Sequence, residues 1–285
     1  MSEAIDTQWM SRDPDTIPLD QLDLINPQLF HNDYHVKIFE RLRRESPVHL
    51  QKDHEEVGSF WNVTRYEDIM AVDTNHDSFS SDGSITAVDQ DEEFPLPMFI
   101  AMDPPKHDQQ RKEVSSAVQP SNLAKMESTI RQRVCDILDS LPRGEEFNWV
   151  DLVSIELTTQ MLATLFDFPF EDRRKLTRWS DVATADEHSG IIESEDQRRA
   201  ELFECLEYFT GLWNERVNEP PRGDLISMLA HGESTKNMDP VEYLGNLVLL
   251  IVGGNDTTRN SISGGIKFLN ENPTEYQKLR DNHGL

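Results

Sequence analysis

Leu247-Val248-Leu249-Leu250-Ile251-Val252-Gly253-Gly254-Asn255-Asp256-Thr257-Thr258 is the stretch that decides the fold. It lies between two helix signals. Upstream, Asp239 is suited to cap a helix, Pro240 fits the first helical position, and Glu242 completes a capping-box-like pair. Downstream, the next stop is Asn272-Pro273. The spacing predicts one helix over 239–271, roughly 32 residues and about 48 Å at the standard rise, enough to cross a domain. Its middle is apolar nearly all round, so it is predicted to be buried.

That buried stretch carries residues a packing helix does not need. Each mid-helix glycine costs about 1 kcal/mol relative to alanine, and a buried carboxylate costs several kcal/mol more unless partnered. Gly253 and Gly254 strip side chains from one face, which lets a flat, bulky group approach the backbone. Thr257 or Thr258 can bond back to a carbonyl one turn earlier and open the helix locally. Asp256 beside that hydroxyl makes a proton-delivery pair. The residues alone leave two other readings open. The glycine pair can serve a close helix crossing, with Asp-Thr-Thr as a polar interruption. Alternatively, 247–252 is a strand and 253–258 a phosphate-cradling turn, although G-x-G-x-x-G and a P-loop lysine are both missing.

A second segment, Ala101-Met102-Asp103-Pro104-Pro105-Lys106-His107-Asp108-Gln109-Gln110-Arg111, reads as a helix start with Asp103 as cap and Pro104 first. His107 and Arg111 are four apart and share a face, a pair of donors suited to a doubly anionic group. Before it, residues 73–100 read as a long loop that ends in Phe94-Pro95-Leu96-Pro97-Met98-Phe99-Ile100. Loops of that length usually serve a function, and apolar Leu96, Met98, Phe99 and Ile100 suit a greasy ligand.

Elsewhere the pattern is mainly helical with a small β-element near the N-terminus. Residues 1–30 read as an irregular lead-in, 35–44 as a helix, and 48–50 and 60–64 as two strands joined by QKDHEEVGS. A helix follows from Arg65 to Val72. After the loop, helices are expected at about 106–118, 121–140, 148–166, 171–187, 195–217, 223–231 and 240–270.

The 285 residues carry 53 acidic against 27 basic side chains, a net charge of -26. That field repels nucleic acid and anionic membranes. Five Trp and thirteen Phe argue for a packed core rather than a disordered polyanion. Cys135 and Cys205 form neither a metal motif nor a disulfide framework, which points to a reducing compartment. The N-terminus has no apolar signal region, and Leu247–Val252 is too short to span a bilayer, so a cytoplasmic protein is expected.

Together, M-D-P-P-x-H-x-x-x-R and a distant G-G-x-D-T-T in a long helix resemble the bacterial cytochromes P450. The resemblance implies a single domain over 1–285 with the cytochrome P450 fold, truncated after the I helix. It implies haem b as cofactor, with His107 and Arg111 binding the propionates and Gly253 and Gly254 forming the groove beside the oxygen site. Asp256 and Thr257 then match the acid–alcohol pair that steers protons to dioxygen. Residues 73–100 match the loop that covers the substrate. In phrasing, FIAMDPPKHDQQRKEVSSAVQPSNL and LLIVGGNDTTRNSISGG are most similar to the alkane and fatty-acid terminal hydroxylases, which implies a small apolar substrate, O2, and electrons from a ferredoxin and ferredoxin reductase. Two family features are missing: the E-x-x-R helix and the Cys loop that ligates iron. Glu171-x-x-Arg174 and Glu195-x-x-Arg198 precede the long helix, and neither cysteine sits in such a loop, so the chain is expected to be a fragment without a metal ligand. A non-catalytic helical binding or scaffold protein that keeps only this half of the fold is the alternative.

Overall fold

Pro240–Glu271 is a single 32-residue α-helix capped by Asp239, whose carboxylate accepts from the Val241 amide. The helix is seen in the computed structural model, which describes residues 12–31, 33–54, 57–88, 94–185, 189–282 and 284. Leu247–Val252 is helical throughout, which removes the strand-and-phosphate-turn reading. Glu242 does not complete a capping box; its carboxylate is taken by Lys106 and Gln110 instead. No helix among the described residues is long and apolar enough to cross a membrane.

Two compact units divide the chain, Met1–Asp91 and Glu92–Leu285. The first holds α1 (Pro27–His31), α2 (His35–Glu45), an antiparallel hairpin of β1 (Val48–His54) and β2 (Gly58–Val63), and α3 (Tyr66–Asp73). Val48 pairs with Val63 and Leu50 with Trp61, so both strands run longer than their β-branched residues suggest. Glu55 and Glu56 of the connecting turn lie outside the described residues, as do Met1–Ser11. From Arg12 onward the supposedly irregular lead-in is packed. Ile17, Leu22, Leu24 and Leu29 form a small core with Ile38 and Leu42 of α2. Buried Arg41 donates to the carbonyls of Pro14, at 2.6 Å, and Ile17, satisfying backbone acceptors that the prolines leave outside any ladder.

The second unit is helical: α4 (Lys106–Ser115), α5 (Pro120–Asp139), α6 (Glu156–Phe166), α7 (Arg174–Thr184), α8 (Glu195–Arg216), α9 (Leu225–His231), α10 (the long helix) and α11 (Pro273–Asp281). Asp186 and Glu187, at the expected end of α7, lie outside the described residues. Ser194 and Asp224 cap α8 and α9 through the Gln197 and Ser227 amides. A π-helical turn, Val150–Ile155, leads into α6. α4 starts at Lys106, as the helix expected over about 106–118 does, but the cap differs: a residue before proline is steered away from helical angles, so Pro104 does not open the helix and Pro105, not Asp103, stands in the cap position.

The core of this unit packs Leu162 and Phe166 of α6, Leu176 and Trp179 of α7, Leu202, Cys205 and Phe209 of α8, and Leu244, Leu247 and Ile251 of α10. Each such side chain contributes about 1.5–3 kcal/mol by leaving water. Where α10, α6, α7 and the π-helical turn come together the packing turns polar. The Thr158 hydroxyl lies 3.0 Å from Asn255 Oδ1, the Ser263 and Ser154 hydroxyls are 2.9 Å apart, and those of Thr159 and Thr177 are 2.7 Å apart. Thr158, Thr159, Ser154, Ser180 and Asn255 are all buried.

Candidate active site

The long helix has two different halves. Tyr243 to Val248 and Ile251 are buried, as the apolar run predicts. Beyond Val252 one face emerges: Gly253, Thr257 and Ser261, four residues apart, are exposed. Along that face the Thr257 hydroxyl donates to the Gly253 carbonyl at 2.9 Å, and the Ser261 hydroxyl to the Thr257 carbonyl at 2.8 Å. These back-bonds fall where the sequence places the glycines, and the helix runs through them without a break, so the expected local opening is not seen. The two glycines differ. Among the described residues a Cβ on Gly253 would meet nothing within 4 Å, whereas one on Gly254 would come within 2.7 Å of Leu162 Cδ1. Gly253 therefore keeps a surface bare, and Gly254 admits a core leucine.

Asp256 is turned the other way, toward α7. Its Oδ1 accepts from Arg259 at 2.7 Å and from the Ser180 hydroxyl at 3.2 Å. Arg259 also donates to Asp181 at 3.0 Å, so one guanidinium serves two carboxylates. The acid that looks costly in the sequence is thus partnered three residues along its own helix. Asp256 and Thr257 are neighbours in sequence but occupy different faces, one clamped and one open.

On α4, His107 is half-buried, with Nδ1 3.0 Å from Asp108 Oδ1 and its ring 6.5 Å from that of Phe99. Arg111 is exposed and has no hydrogen-bond or ion-pair partner among the described residues. The adjacent face of α4 is anchored to α10. Lys106 Nζ donates to Glu242 at 2.8 Å, Gln110 Nε2 donates to Glu242, and Asn246 Nδ2 donates to Gln110 Oε1 at 3.2 Å.

The segment before α4, residues 94–101, lies as a strap along α10. Phe99 donates its amide to Asn246 Oδ1 at 2.9 Å. A Cβ on Gly245 would run into the Pro97 carbonyl oxygen and come within 2.8 Å of its carbon, so only glycine allows this approach. Phe99 belongs to the main core, Met98 is buried and Leu96 is partly so. Ile100, at 46% exposure, offers the most open surface of the four apolar residues. Asp89 to Glu93 of the preceding loop lie outside the described residues. Gln110, Asn246 and Gly245 were not singled out in the sequence, although Asn246 is a visible polar interruption in Leu244-Gly245-Asn246-Leu247. A surface cavity of about 320 Å³ lies apart from these residues, lined by Asp136, Ile137, Glu156, Gln160 and Arg174 among others.

These residues fit a flat, doubly anionic cofactor such as haem. Among the described residues, Gly253 leaves its helix face bare where a Cβ would otherwise project, and Arg111 keeps all its donors free one turn from His107. Neither cysteine is set up as an iron ligand: burial pushes the Cys205 thiol well above its usual range, and Cys135 stands on exposed α5.

No protein-family model matches the chain. It is 32% identical to linalool 8-monooxygenase of Pseudomonas putida over 276 residues, 92% of this chain and 67% of that protein. It is 27% identical to methyl-branched lipid omega-hydroxylase of Mycobacterium tuberculosis, covering 98% of this chain and 68% of the relative. Among solved structures, cytochrome P450-153 from Novosphingobium aromaticivorans superposes with a TM-score of 0.82 at 42% identity, over 92% of this chain and 66% of that one. The chain belongs to the cytochrome P450 family. It spans about two thirds of the length of these relatives, which are named as monooxygenases, hydroxylases and cytochromes P450 and are oxidoreductases.

Proposed function

We propose that these 285 residues form the distal, oxygen-activating side of a single-domain, cytoplasmic haem monooxygenase that hydroxylates the terminal carbon of an n-alkane or fatty acid. The observation that carries this reading is the bare face of α10, with Gly253 open and Thr257 bonded back onto its carbonyl. When bound, haem b supplies dioxygen activation and C–H oxidation, with electrons from a ferredoxin and its reductase. His107 and Arg111 would hold its propionates, and Gly253 would let its plane approach the helix. Thr257 spends its own proton on the Gly253 carbonyl, so its oxygen is free to accept one at the open face. The Asp256 carboxyl stands one residue away and reaches that face only by leaving Arg259 and Ser180. The strap end, with Ile100 exposed, supports an apolar substrate, as do the names of the two monooxygenase relatives.

The test is reconstitution of the whole enzyme containing these residues with haem, a ferredoxin, its reductase and NADH, followed by incubation with n-octane and dodecanoic acid. Primary alcohol and ω-hydroxy acid are expected, and Thr257→Ala should divert NADH consumption from product. Failure to bind haem overturns the reading; unchanged coupling in Thr257→Ala removes the role given to that hydroxyl.

A further inference from the structure

A directional chain of hydrogen bonds ties the strap and α4 to α10. It begins at a backbone amide in the strap: Phe99 N–H donates to Asn246 Oδ1. Asn246 Nδ2 donates to Gln110 Oε1, and Gln110 Nε2 donates to Glu242. Lys106 closes the chain at the surface by donating to the other Glu242 oxygen. Each amide has only one orientation that satisfies both neighbours, and the carboxylate at the end, which can only accept, fixes the sense of the whole chain. Asn246 and Gln110 are 0% and 2% exposed, so breaking any link strands a buried polar group.

Three segments meet at this chain, and each carries candidate site residues. The strap brings Met98 to Ile100. α4 brings His107 and Arg111, each one residue beyond an anchored position, so the grip on Lys106 and Gln110 sets how far α4 is rotated about its axis. α10 brings Gly253 and Thr257, two to three turns beyond Asn246. Gly245 lets the strap lie close enough for the Phe99 bond to form.

We propose that Asn246 and Gln110 are positioning residues: their amide relay locks the strap and α4 against α10, and so sets which carbon of the substrate is presented for oxidation. The effect on selectivity rests on the monooxygenase reading above, whereas the grip on the strap does not. The two are tested apart.

On the 285-residue chain, hydrogen exchange at the Phe99 amide is expected to speed up about tenfold in Asn246→Leu and comparably in Gln110→Met, with amides of α8 and α9 unchanged. Glu242→Gln, which keeps an acceptor for Gln110, should stay within about twofold of the parent. Unchanged exchange at Phe99 in Asn246→Leu overturns the relay, whatever the enzyme does. In the haem-loaded enzyme, Asn246→Leu should lower the ratio of terminal to subterminal alcohol from n-octane at least about threefold, with the parent's haem spectrum retained. Faster exchange with an unchanged product ratio overturns the positioning role. If the parent enzyme leaves n-octane untouched, the substrate reading fails while the exchange result still decides the relay.

Discussion

Alanine in place of glycine at three points of α10 should give three different results, although the helix propensity gained is the same. In a helix interior that gain is about 1 kcal/mol. At Gly253 a Cβ meets nothing within 4 Å among the described residues, so Gly253→Ala should stabilise the chain by the full ~1 kcal/mol, a rise of about 2–4 °C in Tm for a domain of this size. At Gly254 the new methyl lies 2.7 Å from a Leu162 methyl in the core, and overpacking there costs about 1–3 kcal/mol, leaving a net effect between neutral and about 2 kcal/mol destabilising. At Gly245 the obstacle is the Pro97 backbone, which cannot rotate away and is held two residues later by the Phe99–Asn246 bond. The strap must lift, so Gly245→Ala should cost the upper end of that range or more. Urea denaturation followed by far-UV circular dichroism on the 285-residue chain ranks the three directly. A Gly253→Ala chain as unstable as Gly245→Ala would refute the claim that this face is bare. In the haem-loaded enzyme the same Gly253→Ala is expected to weaken cofactor binding, so stability and function should move in opposite directions at that position.

Arg259→Gln should destabilise by about 1–3 kcal/mol, since it removes the charged partner of two partly buried carboxylates and leaves Asp256 only the Ser180 hydroxyl, and Asp181→Asn by less, because Arg259 then keeps Asp256; equal midpoints in urea would show that the bridge contributes nothing. Burial works against the charge of Glu156, but bonds from Gln160 and Arg173 and the nearby Arg174 hold it below the usual carboxylate range. Its contribution is therefore complete above about pH 4.3 and is lost as pH falls through the lower folded value, so Glu156→Gln should flatten the acid limb of stability against pH. An unchanged limb in that variant would assign the acid loss to other carboxylates. Thiol alkylation read by mass spectrometry should label Cys135 at once and Cys205 only on unfolding, since the latter is buried with its thiol pKa pushed up. Comparable rates would place Cys205 outside the core.

The long helix was legible because its signals are local: a cap, a first-turn proline, a stop, and an apolar run between them. The same holds for the hairpin and for most of α5 to α9. The packed lead-in was not legible, because Ile17, Leu22, Leu24 and Leu29 follow no helical or strand period and are held by Arg41 from a later helix. At the site, the glycines and the hydroxyl–carbonyl bond could be read from sequence. Two features could not. The rotation of Asp256 toward α7 depends on Ser180, 76 positions away, and the anchoring of the strap depends on Asn246, 147 positions from Phe99. Local spacing carries no trace of such pairings. The apolar character of Leu96, Met98, Phe99 and Ile100 does not distinguish a residue lining a site from one, like Phe99, that fills the core.

The hydroxyls between α10 and its neighbours also bear on how this chain can drift over generations. An oily interface accepts exchanges of similar volume, so Leu244, Leu247 and Leu202 should tolerate Met or Ile in a saturation library. Thr158, Ser180 and Asn255 have no such equivalents, because an apolar replacement leaves the facing oxygen or amide buried and unmatched. Variation in descendants should therefore accumulate in the greasy layers of the helix bundle and spare this thin polar line, which keeps α10 from slipping by a residue along α6 and α7.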